Sequence, residues 1–261
     1  MVSCASLDGL SNSESEKGAT GSPSGESTND RGRRPGGTRD PEESPGTPSK
    51  TFCEATSATF CADFEGELMT GWTSRSGVHG DTLLIENAFA AVTEPVAAGT
   101  VPRAYLRKDF AAGEHQDKAT IEYTFAVRVD QIGATPTKGG TLAVLALGTA
   151  PLDYELQLNV FADGKTVLTE RGPAGDGGAR PYREHPLSSF VVGTWRRIEV
   201  RVMRAAGSFE VSIDGTSVLA ATTSVAALPT TELSFYLGVT YADPPAAPWT
   251  VRYDDVVLDL R

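Results

Sequence analysis

No apolar run in this chain approaches the about 18 residues that a membrane-crossing helix requires, so no helix of it is expected to span a bilayer. Histidine is scarce: His79, His115 and His185 are scattered and share no metal-ligand spacing. A G-x-S-x-G nucleophile elbow, a phosphate-binding loop and a dinucleotide fingerprint are all absent, which removes the readings that depend on those motifs. Residues 5–50 contain no aromatic side chain and are dominated by Ser, Gly, Pro, Glu and Arg. Such a stretch buries too little apolar surface to offset the entropy of ordering it. Residues 1–50 are therefore expected to form a disordered tether, and residues 51–261 the folded domain.

The formal charge is -11, and residues 1–50 hold 8 acidic against 6 basic side chains, which leaves 26 against 17 for the remainder. A near-neutral tether on an acidic domain repels phosphate backbones, so nucleic acid is excluded as a partner. The Arg31, Arg33 and Arg34 cluster sits among Asp30, Asp40, Glu42 and Glu43 and reads as a solubilising segment.

Cysteine is equally sparse. Cys53 and Cys61 flank a short loop at the entrance to the folded region, and their spacing suits a disulfide and an oxidising compartment. Free thiols are the alternative, and a zinc site lacks the second cysteine pair or histidines it needs. Met1-Val2-Ser3-Cys4 followed by a polar tether resembles the lipobox of bacterial lipoproteins, which makes Cys4 a candidate lipidation site and the protein an exported one, at the outer membrane, the cell surface or outside the cell. No charged or apolar leader precedes it, and an incidental cysteine near a terminus is the alternative.

The folded region alternates with a period of two. Ile121, Tyr123, Phe125, Val127 and Val129 fall on one face of a strand, and Tyr154, Leu156, Leu158 and Val160 on one face of another. Residues 141–148 are apolar on both faces and predict a central, covered strand, while residues 172–186, rich in Gly and Pro, read as a long loop. Asp214-Gly215 and Ala162-Asp163-Gly164-Lys165 are hairpin turns. In the last strand Val251 and Tyr253 occupy one parity and Val256, Leu258 and Leu260 the other, so a β-bulge is required at Asp254-Asp255. About ten to twelve strands without an amphipathic helix predict an all-β fold, two packed antiparallel sheets.

Trp195-Arg196-Arg197-Ile198-Glu199-Val200, then Val211-Ser212-Ile213-Asp214-Gly215, then Tyr253-Asp254-Asp255-Val256, together with the opening Asp63-Phe64-Glu65-Gly66 and Trp72, resemble the laminin-G-like and concanavalin-like jelly rolls of secreted bacterial proteins. The resemblance covers residues 51–261. It implies a jelly-roll β-sandwich whose first strand lies beside its last, and a structural calcium ion held by Asp63, Glu65, Asp254 and Asp255. Solvent-facing carboxylates are the plainer reading of those four.

A non-catalytic, lectin-like glycan-binding surface is the expected function. Its candidate residues are Glu155, Gln157, Asn159 and Arg197 as polar partners and Tyr182 and Tyr236 as rings, with Tyr241 and Trp249 as further aromatic candidates. Structural or protein-interaction roles in a cell envelope, and polysaccharide cleavage, are the alternatives. The acidic E-x-D-x-x-E motif of concanavalin-like glucanases is absent; Asp153 and Glu155 share a parity, and Tyr182-Arg183-Glu184-His185 offers acid-base types as sequence neighbours. An aromatic platform beside a polar groove would favour binding, a smooth charged sheet an envelope role, and a deep cleft with facing carboxylates an enzyme.

Overall fold

The structure is a computed structural model that describes residues 51–86, 88–134, 139–149, 153–173, 180–224 and 227–261. The expected tether and Cys4 lie outside the described residues. Thr51 opens the ordered chain with a capping box: its hydroxyl accepts from the Glu54 N–H while the Glu54 carboxylate accepts from the Thr51 N–H, starting the single-turn helix α1 (Phe52–Ala55). Strands β1 (Phe60–Ala62), β2 (Ser74–Val78), β3 (Gly80–Ile85), β4 (Ala88–Thr93) and β5 (Arg103–Ala111) follow, and a second single turn, α2 (Ala112–His115), precedes β6 (Thr120–Gln131). The remainder is strand: β7 (Gly140–Leu147), β8 (Tyr154–Val160), β9 (Thr166–Arg171), β10 (Tyr182–Leu187), β11 (Trp195–Met203), β12 (Ser208–Ile213), β13 (Thr216–Thr222), β14 (Glu232–Ala242) and β15 (Thr250–Leu260).

These strands form two antiparallel sheets packed as a sandwich. One runs β13-β12-β11-β6-β15-β4-β3, with β1 also paired to β15; the other runs β10-β9-β8-β7-β14-β5-β2. The all-β sandwich read from the sequence is thus the observed fold. Fifteen strands rather than ten to twelve appear among the described residues. The reading of 172–186 as one loop also fails, because Tyr182–Leu187 pairs along its whole length with β9. The misreading has a physical cause: β10 is an edge strand with little buried surface, so its residues carry no apolar alternation.

Both predicted turns are present. Asp214 and Gly215 lie at φ 51° and 75° between β12 and β13, the left-handed pair that matches strand twist in a two-residue hairpin. At the opposite edge the chain passes from one sheet to the other through His79 alone, at φ 50°, between β2 and β3.

The core lies between the sheets. Strand β7, fully buried and flanked by β8 and β14, is the covered central strand expected. Phe235 from one sheet meets Tyr123 and Phe125 from the other at ring-centroid separations of 5.1 and 6.2 Å. The Tyr253 hydroxyl, fully buried, donates to the Leu142 carbonyl at 2.8 Å and so links the sheets by a hydrogen bond through the core. Trp249 is fully buried, which corrects its candidacy as a sugar platform. Two glycines make room for it: a Cβ on Gly140 would lie 2.5 Å from its ring, and one on Gly133 at the same distance from another ring carbon.

Cys53 and Cys61 form a disulfide that ties α1 to β1. Closing a loop with a sequence separation of 8 stabilises the fold by about 2 to 3 kcal/mol in the chain-entropy model. The Cys53→Ser, Cys61→Ser double variant is expected to lose that amount in denaturant titration, and an unchanged midpoint would show that the unfolded chain is not restrained by the bridge. Gly140→Ala, which overpacks the Trp249 site, should destabilise by about 1 to 3 kcal/mol in the same assay.

Candidate functional site

The outward residues of the sheet β10-β9-β8-β7-β14-β5-β2 converge on a shallow pocket. In β8 the side chains of Tyr154, Leu156, Leu158 and Val160 point to the core, so Glu155, Gln157 and Asn159 point away from it. Cross-strand register sets Thr169 beside Gln157, Arg171 beside Glu155, Tyr182 beside Arg171, and Thr141 beside both Asn159 and Tyr241. Gln157, Asn159, Thr169, Arg171, Tyr182 and Tyr241 thereby line one depression of about 130 Å³.

The polar floor is tied together. Asn159 donates to Thr169 Oγ1 at 2.8 Å and accepts from Thr141 Oγ1 at 2.6 Å. Gln157 donates to Glu155, whose other carboxylate oxygen accepts from Arg180 at 3.4 Å. Arg180 also donates to the Asp153 carbonyl at 2.8 Å and lies 3.2 Å from the Asp153 carboxylate. Burial, and then the neighbouring Asp153, push the Glu155 carboxyl above its ordinary range.

Two rings rim the floor. Tyr182 and Tyr241 are 53% and 41% exposed, enough for a ligand ring to lie against either. Each phenol donates to a carboxylate two residues on, Tyr182 to Glu184 at 2.5 Å and Tyr241 to Asp243 at 3.0 Å. Burial first, and then these hydrogen bonds to anions, raise both phenol pKa values above the ordinary tyrosine value. Tyr236 shares the face but is half-buried, edge-on to Tyr105 at 5.6 Å and beneath the Arg107 guanidinium at 5.3 Å.

The structure therefore brings Glu155, Gln157, Asn159, Tyr182 and Tyr236 onto one face. Arg197 is not with them. It lies on β11 of the other sheet, 3.7 Å from Asp255 and over the Phe52 ring, so its grouping with the others is corrected. Sequence reasoning overlooked Arg171 and Thr169 because Glu170, between them, points inward. That carboxylate is fully buried and accepts from the Tyr154 hydroxyl at 2.9 Å and from the Ser224 N–H. A charged residue at a core position hides the alternation of β9, and nothing else in the chain signals it.

The residues weighed for catalysis do not come together as one facing set. Asp153 and Glu155 are both held by Arg180 rather than facing one another across a cleft. His185 points to the opposite side of β10 from Tyr182, edge-on to Phe209 at 5.3 Å, with its Nε2 3.7 Å from Glu170. Tyr182 and His185 consequently do not share a site.

Strands β1 and β15 are neighbours, with Ala62 opposite Val256, as the jelly-roll resemblance implies. The bulge falls where it was expected, at Asp254-Asp255, with Asp255 at φ 49°. Burial, followed by the charges of Asp255, Glu65 and Asp63, pushes the Asp254 carboxyl up to about 6. Asp63 is instead held below the ordinary carboxylate range, because hydrogen bonds including those from the Cys53 and Glu65 N–H groups outweigh its desolvation. Among the described residues no three Asp, Glu, His or Cys side chains form a group that could hold a metal ion. The charges of Asp63, Glu65 and Asp255 all act on Asp254 at this corner.

No family model matches the chain, and no curated protein sequence matches it. Its likeness is to solved structures. The cellulose induced protein Cip1 superposes with a TM-score of 0.53 at 14% identity, over 76% of this chain and 96% of that one. A sialidase gives a TM-score of 0.53 at 14% identity over 77% of this chain, which spans only 18% of the sialidase. The fold is a concanavalin-like sandwich. Identities this low establish the fold and nothing finer.

Because the folded-state pKa of Asp254 is raised, its contribution to stability is fully present below 3.8 and is lost as pH rises through about 6. Asp254→Asn, which keeps an acceptor for the Asp255 N–H, should raise stability by roughly 1 kcal/mol at pH 7.5 once solvent screening is allowed for. In a melting experiment that is about 2 to 4 °C, and the gain should vanish toward pH 4. An equal gain at both pH values would mean that charge is not its source.

Proposed function

We propose that the outer face of the sheet carrying β8, β9 and β10 binds a carbohydrate, and that the protein is a non-catalytic, lectin-like module. One observation carries the reading: two exposed tyrosine rings rim a floor of amide and hydroxyl groups. A sugar needs an apolar ring face and several directed hydrogen bonds at once, and this pocket offers both. At about 130 Å³ it is well below the roughly 300 to 1,000 Å³ of pockets that engulf a ligand. It suits one residue of a longer, solvent-exposed glycan.

The same geometry speaks against cleavage. Elimination chemistry needs a tyrosine or histidine that gives up its proton readily, whereas both pocket phenols are held protonated against carboxylates. Hydrolysis needs two carboxyl groups on either side of the bond, and Asp153 and Glu155 are bound side by side by one guanidinium. The opposite sheet carries a charged ladder, including Arg128–Asp130, Arg252–Asp130 and Arg201–Glu122, whose members satisfy one another. A self-paired surface offers few free donors, so an envelope protein-interaction role has weaker support.

The narrower laminin-G-like assignment belongs to the same proposal and rests on the adjacent β1 and β15 motifs. Export rests on the Cys53–Cys61 disulfide, and a lipid anchor on Ser3-Cys4 alone. Among the described residues no helix is long and apolar enough to cross a membrane. For calcium we propose the corner of Asp63, Glu65, Asp254 and Asp255, supported by the three neighbouring charges that add to burial in raising Asp254. A melting temperature indifferent to millimolar calcium and to chelator would reject it.

A glycan array probed with the full chain should show binding that Tyr182→Ala and Tyr241→Ala each weaken by about tenfold, with the circular dichroism of a folded β-protein retained. No unsaturated sugar ends and no new reducing ends should appear on prolonged incubation. Binding that survives both substitutions would remove this face as the site.

A further inference from the structure

Resting on the glycan-binding reading, we infer that the sugar taken by the Tyr182–Tyr241 pocket is acidic, a carboxylate-bearing residue of the uronic-acid type, with its carboxylate on Arg171. The observation is an imbalance of pairing. The protein carries a formal charge of -11, and across the opposite sheet its basic side chains are matched with carboxylates. At this pocket they are not. Among the described residues no carboxylate forms an ion pair with Arg171, Arg103 or Lys165.

Each of the three is near the pocket. Arg171 lines it, exposed, with its guanidinium 5.8 Å from the centre of the Tyr182 ring. Arg171 and Arg103 both act on the Tyr241 phenol, lowering its pKa against the larger effect of burial. The Lys165 ammonium sits 5.5 Å over the ring of Phe161, which closes one end of the depression.

The carboxylates on this face are already engaged. Glu184 and Asp243 accept the phenol hydrogens of Tyr182 and Tyr241, and Glu155 is bound by Arg180 and Gln157. The Arg171 guanidinium lies beside the Tyr182 ring, 5.8 Å from its centre, and a guanidinium can grip a carboxylate at two points through its paired N–H groups. An uncharged sugar would leave that grip unused. Asn159, Gln157 and Thr169 beside it are placed to meet hydroxyl groups of the same ring.

Isothermal titration of the full chain with an oligouronide, the same oligomer after carboxyl reduction, a neutral glucan and a sulfated polysaccharide tests this. The oligouronide should bind at least about tenfold more tightly than its reduced form, and Arg171→Gln should weaken oligouronide binding by about 10- to 100-fold. The same substitution should leave the reduced oligomer unaffected, and Arg201→Gln, on the opposite sheet, should change neither. Equal binding of the reduced oligomer would overturn the acidic assignment and leave the glycan reading standing. Binding of the sulfated polymer alone, or oligouronide binding indifferent to Arg171→Gln, would likewise overturn it. Failure of all four to bind a folded protein would overturn the glycan reading as well.

Discussion

The fold depends on one strand being read in two phases. Strand β15 lies against β6 along its length, and its other edge is shared, β4 pairing with Thr250–Tyr253 and β1 with Val256–Leu258. Side chains alternate with a period of two, so an uninterrupted strand would turn Val256, Leu258 and Leu260 to solvent once Val251 and Tyr253 faced inward. The extra residue at Asp254-Asp255 restores the phase, and all five are buried. The neighbour changes at the same place, so the bulge both re-aims the strand and lets the opening of the folded region close the sheet. Around it gather Asp63, Asp254 and Asp255, and the disulfide holds the arriving segment.

A second phase change makes the pocket. Tyr236 and Tyr241 are five positions apart in β14 and would face opposite sides of a regular strand, yet both point away from the core. The register shifts between Leu237 and Tyr241 against β7, and Gly238, at φ 127°, provides the turn of the backbone. A Cβ there would meet the Ala104 carbonyl oxygen at 2.3 Å, so glycine is required by space as well as by conformation. One bulge thus closes the sandwich, and the other brings a second exposed ring to the face that Tyr182 already occupies.

The two outer faces differ in how their charges are spent. On the sheet of β6, β11 and β15, arginines and carboxylates answer one another along and across strands, leaving a surface that water satisfies. On the other, the carboxylates hold phenols, Arg180 and Arg107 in place, while among the described residues Arg171, Arg103 and Lys165 form no ion pair with a carboxylate. The proposed binding role rests on that difference in pairing rather than on a difference in composition, since both faces are rich in Arg and Glu.

Alternation in β6 and β8, the Asp214-Gly215 turn, the short Cys53–Cys61 loop and the parity break in β15 made the all-β sandwich legible from residues alone. Each is local: a few adjacent side chains suffice to state it, and local periodicity is what a half-buried strand imposes. The polar side of β8 was legible for the same reason, which is why Glu155, Gln157 and Asn159 were found together. The grouping of those residues with Tyr182, and the separation of Arg197 from them, are matters of which sheet a strand joins, and no local pattern carries that. Trp249 is buried because Gly133 and Gly140, distant in the chain, leave space for it. Arg171 faces outward because Glu170 finds its partners inside, on Tyr154 and Ser224. Those contacts link residues 16 and 54 positions apart, and only the tertiary structure brings them into one place.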